Sequence, residues 1–131
     1  MSHKTVWITG ASSGIGREFA RRYARLGFRL ILTARRKDRL DALAAQLVSK
    51  YGSFCRVLPA DLEQECELAR LQRELADERI DLFINYAGFG VCGNFLETDA
   101  AAEASMIKVN VLALHTLCKF AVQKMQAQGF G

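Results

Sequence analysis

Residues 5–26 constrain the fold most. A β-prone apolar run, Val6-Trp7-Ile8, passes through Thr9-Gly10-Ala11-Ser12-Ser13-Gly14-Ile15-Gly16 straight into a segment where Ile15, Phe19, Tyr23 and Leu26 recur at helical spacing. A strand therefore runs into a glycine-rich turn that opens a helix. Such a turn lets backbone N–H groups approach an anion with no Cβ in the way, and the helix dipole adds partial positive charge at the same point. Gly10, Ser12, Ser13, Gly14, Ile15 and Gly16 are thus candidates for cradling a phosphate.

The rest of the chain repeats the same beat without a linker or internal repeat. Strands are expected at Thr5–Thr9, Arg29–Thr33, Cys55–Pro59 and Asp81–Asn85, with helices at about 15–26, 37–50, 63–78 and 100–127. Leu40, Leu43 and Leu47 form one apolar face, and Leu68, Leu71 and Leu75 another; both are core packing. Strands separated by helices of this length require right-handed crossovers, hence a parallel sheet covered on both sides. The expected fold class is doubly wound α/β, with ligands bound beyond the carboxyl ends of the strands.

With 131 residues, half of them apolar, the chain is expected to form one domain over residues 1–131 with a real core. Its uninterrupted apolar runs are far shorter than the roughly 20 residues that span a bilayer, and its first residues lack the apolar core of a secretory signal. A cytoplasmic protein without membrane association is expected. Cys55, Cys66, Cys92 and Cys118 include no C-x-x-C pair, and His3 and His115 stand at no ligand spacing from them; reduced thiols and no metal site are expected. The net charge of +4 is lopsided: residues 1–39 hold ten Lys/Arg against two acidic residues. That concentration surrounds the glycine turn and suits an anionic small ligand. Arg17, Arg21, Arg22 and Arg25 account for much of it as a solvated helix face, and no aromatic interleaving or known module favours nucleic acid.

Each further motif follows an expected strand. Gly10-x-x-x-Gly14-x-Gly16 differs from the G-x-G-x-x-G fingerprint of the standard dinucleotide fold. With Thr9 before it, the turn resembles the T-G-x-x-x-G-x-G segment of the short-chain dehydrogenase/reductase family. Thr33-Ala34-Arg35-Arg36 ends the second strand, where NAD-specific folds place a carboxylate for the ribose 2′-OH. With Ala34 followed by Arg35 and Arg36, the chain resembles the NADP-preferring branch, NAD being less favoured. Asp61-Leu62 follows the third strand at the family's adenine-contacting position; Asp61 also suits the cap of the third helix. Asn85-Tyr86-Ala87-Gly88 resembles the family's N-N-A-G segment, Tyr86 departing from it, and the resemblance gives Asn85, Ala87 and Gly88 a place at the cofactor site. Met106-Ile107-Lys108-Val109-Asn110-Val111 matches the stretch bearing the family's asparagine of the catalytic network, here Asn110.

The resemblance implies a strand order of 3-2-1-4 and an oxidoreductase interconverting small-molecule carbonyls and alcohols. It also implies a homo-oligomer, with Val109, Leu112, Leu117 and Val122 of the last helix short of neighbours. The family's catalytic Ser and Tyr-x-x-x-Lys have no counterpart in these residues, so the expected capability is binding of the adenine half of the cofactor without turnover. The other reading is a noncatalytic nucleotide-binding or regulatory module.

Overall fold

The computed structural model describes residues 3–131. Four strands, β1 (Thr5–Thr9), β2 (Arg29–Thr33), β3 (Cys55–Val57) and β4 (Leu82–Asn85), form one parallel sheet in the order β3-β2-β1-β4. Helices α1 (Gly14–Arg25), α2 (Lys37–Tyr51) and α3 (Glu65–Glu74) make the connections; α4 (Ala100–Ile107), a π-helical segment Lys108–Ala113 and α5 (Leu114–Gln128) follow β4. The fold is doubly wound α/β. Registers align Thr5 with Arg29 through Thr9 with Thr33, and Val6 with Leu82 through Thr9 with Asn85. All strand carboxyl ends therefore open on one edge of the sheet.

Strand side chains alternate faces, and the two faces build two cores. Val6, Ile8, Leu30 and Leu32 pack with Ala20 and Ala24 of α1 and Leu40, Leu43 and Leu47 of α2. On the other face Trp7 and Ile31 pack with Leu68, Leu71, Leu75 and Leu117. Trp7 is fully buried, its ring stacked on Phe83 at 4.3 Å and edge-on to Phe120 at 6.3 Å, while its Nε1–H donates to Thr33 Oγ1 at 3.0 Å.

Some expectations are corrected. The helical spacing of Ile15, Phe19, Tyr23 and Leu26 marks α1 but not its buried face: Gly16, Ala20 and Ala24 are buried, while Ile15 and Leu26 are more than half exposed. The helix lies so near the sheet that small residues take the contact, and Phe19 and Tyr23 pack from its flank. β3 stops at Val57 before Pro59, which has no N–H to give, yet Leu58 N–H donates to Leu32 O and Ala60 N–H to Ala34 O beyond it. α3 begins two residues late because Asp61 closes a turn of its own, its Oδ1 accepting from Glu63 N–H and its carbonyl from Gln64 N–H. Asp61 therefore does not cap α3, whose N-cap is Gln64. Leu117, expected short of neighbours, is fully buried, and Val109 packs against the second core; Leu112 and Val122 stay exposed.

The expected single last helix is one rod of 29 residues, Ala100–Gln128, broken by a wider turn. By length and composition alone it is long and apolar enough to cross a bilayer, which short uninterrupted runs did not suggest. In this fold Ala113, Leu117 and Ala121 are buried. The four cysteines are free, and burial pushes the Cys55 thiol up to about 11, which leaves it protonated and unreactive. At the opposite edge of the sheet Asp81 accepts from Thr5 N–H at 2.8 Å and from the Arg79 guanidinium. Burial opposes its charge, but these bonds outweigh it and hold Asp81 below the ordinary carboxylate range.

Candidate functional site

The glycine turn is built by close approach. Gly10 has φ +67°, and a Cβ there would stand 2.9 Å from Ala87 N and Tyr86 C, so the loops after β1 and β4 touch backbone to backbone. At Gly16 a Cβ would meet Gly10 O at 2.1 Å, so α1 leaves the turn directly over the carbonyl that began it. Thr9 ties the same two loops: its buried hydroxyl donates to Asn85 Oδ1 and accepts from Ala87 N–H at 3.2 Å. Ser13 is the N-cap of α1, but its hydroxyl makes no cap bond, and the first turn of α1 holds no acidic residue. Free N–H groups and an unspent hydroxyl thus face the same space.

That space is a groove of about 250 Å³ across the carboxyl ends of all four strands. Of the residues expected at the site, Gly10, Ser12, Ser13, Arg35, Arg36, Asp61, Leu62, Ala87 and Gly88 line it. Gly14, Ile15, Gly16 and Asn85 do not. Gly16 is packed under the turn, the Ile15 side chain is exposed, and Asn85 braces Thr9 and reaches Cys118 Sγ at 3.9 Å. Leu62 is buried in the second core.

Groove electrostatics are two-ended. Arg35, Arg36 and Arg39 stand at the end of β2, and among the described residues none of them forms an ion pair. Asp61 and Glu63 stand beyond β3, with Ser105 Oγ donating to Glu63 Oε1 at 2.6 Å. A ligand with an anionic group at one end and an amine donor at the other matches that polarity. Of the lining residues, Arg39, Ala60 and Glu63 escaped the motif reading. For Arg39 the signal was present, since it lies three positions after Arg36, in the first turn of α2.

Asn110 sits in the π segment, half-buried, with both amide atoms spent on one residue: Oδ1 accepts from Phe89 N–H at 3.0 Å and Nδ2 donates to Phe89 O at 2.7 Å. A Cβ at Gly88 would stand 2.8 Å from Asn110 Oδ1. In this arrangement Asn110 pins the loop after β4 that forms one wall of the groove. Tyr86, which departs from the N-N-A-G pattern, lays its ring beside Gly16 and is 43% exposed.

The profile of the short chain dehydrogenase family matches residues 4–131. A very-long-chain 3-oxoacyl-CoA reductase from Podospora anserina is 35% identical over 116 residues, which cover 83% of this chain and 34% of that protein. Among solved structures, a short-chain dehydrogenase from Sphingobium yanoikuyae in complex with NADPH superposes with a TM-score of 0.92 at 42% identity, covering 98% of this chain and 50% of that one. A bulky-bulky ketone specific alcohol dehydrogenase from Comamonas testosteroni gives 0.94 at 35% identity, covering all of this chain and 53% of that one. The chain spans about a third to half the length of these relatives. The profile covers nearly the whole chain and the fold superposes on solved relatives, and the chain belongs to the short chain dehydrogenase family.

Proposed function

We propose that this chain forms the adenine-binding half of the cofactor site of an NADP-dependent oxidoreductase acting on a small-molecule carbonyl or alcohol. The observation that carries the reading is the end of β2: Ala34 stands where a carboxylate would select NAD, and three guanidiniums without carboxylate partners among the described residues line the groove beside it. Gly10, Ser12 and Ser13 would hold the diphosphate against the start of α1, Arg35 and Arg36 the 2′-phosphate, and Asp61 the adenine amino group. NADP, when bound, supplies hydride exchange at its nicotinamide. The NADPH complex of the Sphingobium relative supports the assignment.

Titration with NADPH and NADH tests it directly. Arg35→Ala is expected to weaken NADPH about 10- to 150-fold, the worth of a charge-assisted bond to phosphate, and NADH less than twofold. Equal losses for both coenzymes would remove the specificity assignment.

Reduction of a carbonyl also needs a proton from an acid tuned toward neutrality. No tyrosine lines the groove, no Tyr-x-x-x-Lys occurs in the 131 residues, and the Asn110 amide is engaged with Phe89. The polypeptide of residues 1–131 is therefore expected to bind coenzyme without oxidising NADPH in the presence of simple ketones or aldehydes. Steady loss of absorbance at 340 nm above a no-protein blank would refute this and the noncatalytic nucleotide-binding alternative together.

A further inference from the structure

We infer that Arg39 is a third reader of the coenzyme's 2′-phosphate, and that its seat in the first turn of α2 couples coenzyme binding to the stability of that helix. The inference rests on the NADP reading of the groove and assigns within it a residue the motifs do not reach. Three observations carry it.

The first is place. Arg39 lines the groove together with Arg35, Arg36, Ser12 and Ser13. Arg36 and Arg39 stand three positions apart at the start of α2, Arg36 as its N-cap and Arg39 in its first turn.

The second is the lack of a carboxylate partner. Arg21, Arg56, Arg70 and Arg79 each pair with a carboxylate, and Lys37, in the same turn as Arg39, pairs with Asp41 at 2.6 Å. Among the described residues Arg35, Arg36 and Arg39 have no ion pair, a lack they share with Arg17, Arg22, Arg25, Arg29 and Arg73; what sets the three apart is that they line one groove together. Cations left together without counter-charge repel one another, and an arriving dianion relieves all of them at once.

The third is the helix itself. N-caps favour Ser, Thr, Asp or Asn, whose oxygens accept from free N–H groups, and first turns favour acidic residues. α2 instead has Arg36 at its N-cap with no side-chain cap bond, then Lys37 and Arg39, with Asp38 the one acidic residue of the turn. Each misplaced cation weakens the helix start in the free protein. Bound phosphate reverses the sign, because helix N–H groups and guanidiniums then attract the same charge. A local rule broken at the lip of a groove is the pattern expected where function outweighs stability. By linkage, an anion that binds only the folded chain stabilises it.

The test uses the full chain with NADP⁺ and NAD⁺, which differ only by the 2′-phosphate, and the variants Arg39→Gln, Arg39→Lys and Arg22→Gln. Arg22 lies on α1 outside the groove and controls for net charge. Arg39→Gln is expected to weaken NADP⁺ about tenfold and NAD⁺ less than twofold, while raising the thermal midpoint of the free protein by about 1–5 °C. Arg39→Lys retains the charge, so it keeps the wild-type midpoint and part of the preference; Arg22→Gln leaves the NADP⁺/NAD⁺ ratio as it was. If wild type prefers NADP⁺ and Arg39→Gln keeps the whole preference, or lowers the midpoint of the free protein, the role of Arg39 is refuted while the NADP reading stands. A wild type that binds NAD⁺ as well as NADP⁺, or neither, overturns both.

Discussion

Gly16→Ala is expected to abolish coenzyme binding and to cost the fold about 3 kcal/mol or more, the upper range of overpacking effects. The added methyl would stand 2.1 Å from Gly10 O and 2.7 Å from Gly10 C, and both are backbone atoms that no rotamer change can move. Only the Tyr86 ring, at 3.2 Å, can swing aside. Relief requires lifting α1 or opening the turn, and the turn is held on its other side by the contact between Gly10 and the backbone of Tyr86 and Ala87. Either movement separates the N–H groups of the turn from the space where the diphosphate would lie. Gly90→Ala is the matched control, since a Cβ there meets nothing within 4 Å. Denaturant unfolding and coenzyme titration of the two variants decide the point. A Gly16→Ala protein within 0.5 kcal/mol of wild type would show that α1 is less closely seated than described.

Trp7→Ala is expected to remove about 3–5 kcal/mol, a large part of the 5–15 kcal/mol by which a domain is ordinarily stable. Trp7 is the middle residue of the inner strand β1, fully buried, with aromatic neighbours from β4 and α5. Its removal empties the second core at the point where the sheet meets the last helix. It also leaves Thr33 Oγ1 without its donor in a fully buried position. Trp7→Phe separates the two contributions by keeping most of the ring volume and losing the hydrogen bond, and should cost about 1–2 kcal/mol. Far-ultraviolet circular dichroism against urea measures both. A loss below 1 kcal/mol for Trp7→Ala would mean that the core relaxes around the gap.

The strands were legible because parallel strands, buried on both faces, must be apolar throughout, as Val6-Trp7-Ile8 and Leu30-Ile31-Leu32 are, whereas their order came only with the family resemblance. The groove was legible where a residue's type states its use, as with the glycines at the turn and the arginines after β2; Asp61 after β3 was placed by the family resemblance, its type alone suggesting a helix cap. What escaped depends on packing distance. Nothing in the spacing of Ile15, Phe19 and Tyr23 tells that α1 approaches the sheet on Gly16, Ala20 and Ala24 instead. Asn85 likewise reads from the family motif as a cofactor-site residue, and only its bond with Thr9 shows it bracing the two loops. The π segment leaves no mark in composition, since Lys108–Ala113 is an ordinary helical run whose wider turn accompanies the Asn110 clamp on Phe89.

That wider turn has a consequence for how the chain tolerates changes of length. An α-helix advances about 100° per residue, so one residue gained or lost within α5 would swing Leu117 and Ala121 off the sheet. A π turn holds roughly one residue more than an α turn over the same rise. Between residues 108 and 113, a one-residue deletion can be absorbed by tightening the turn while α4 and α5 keep their present headings. The segment acts as a slack turn, the place in the rod where the loss of one residue need not reach the core.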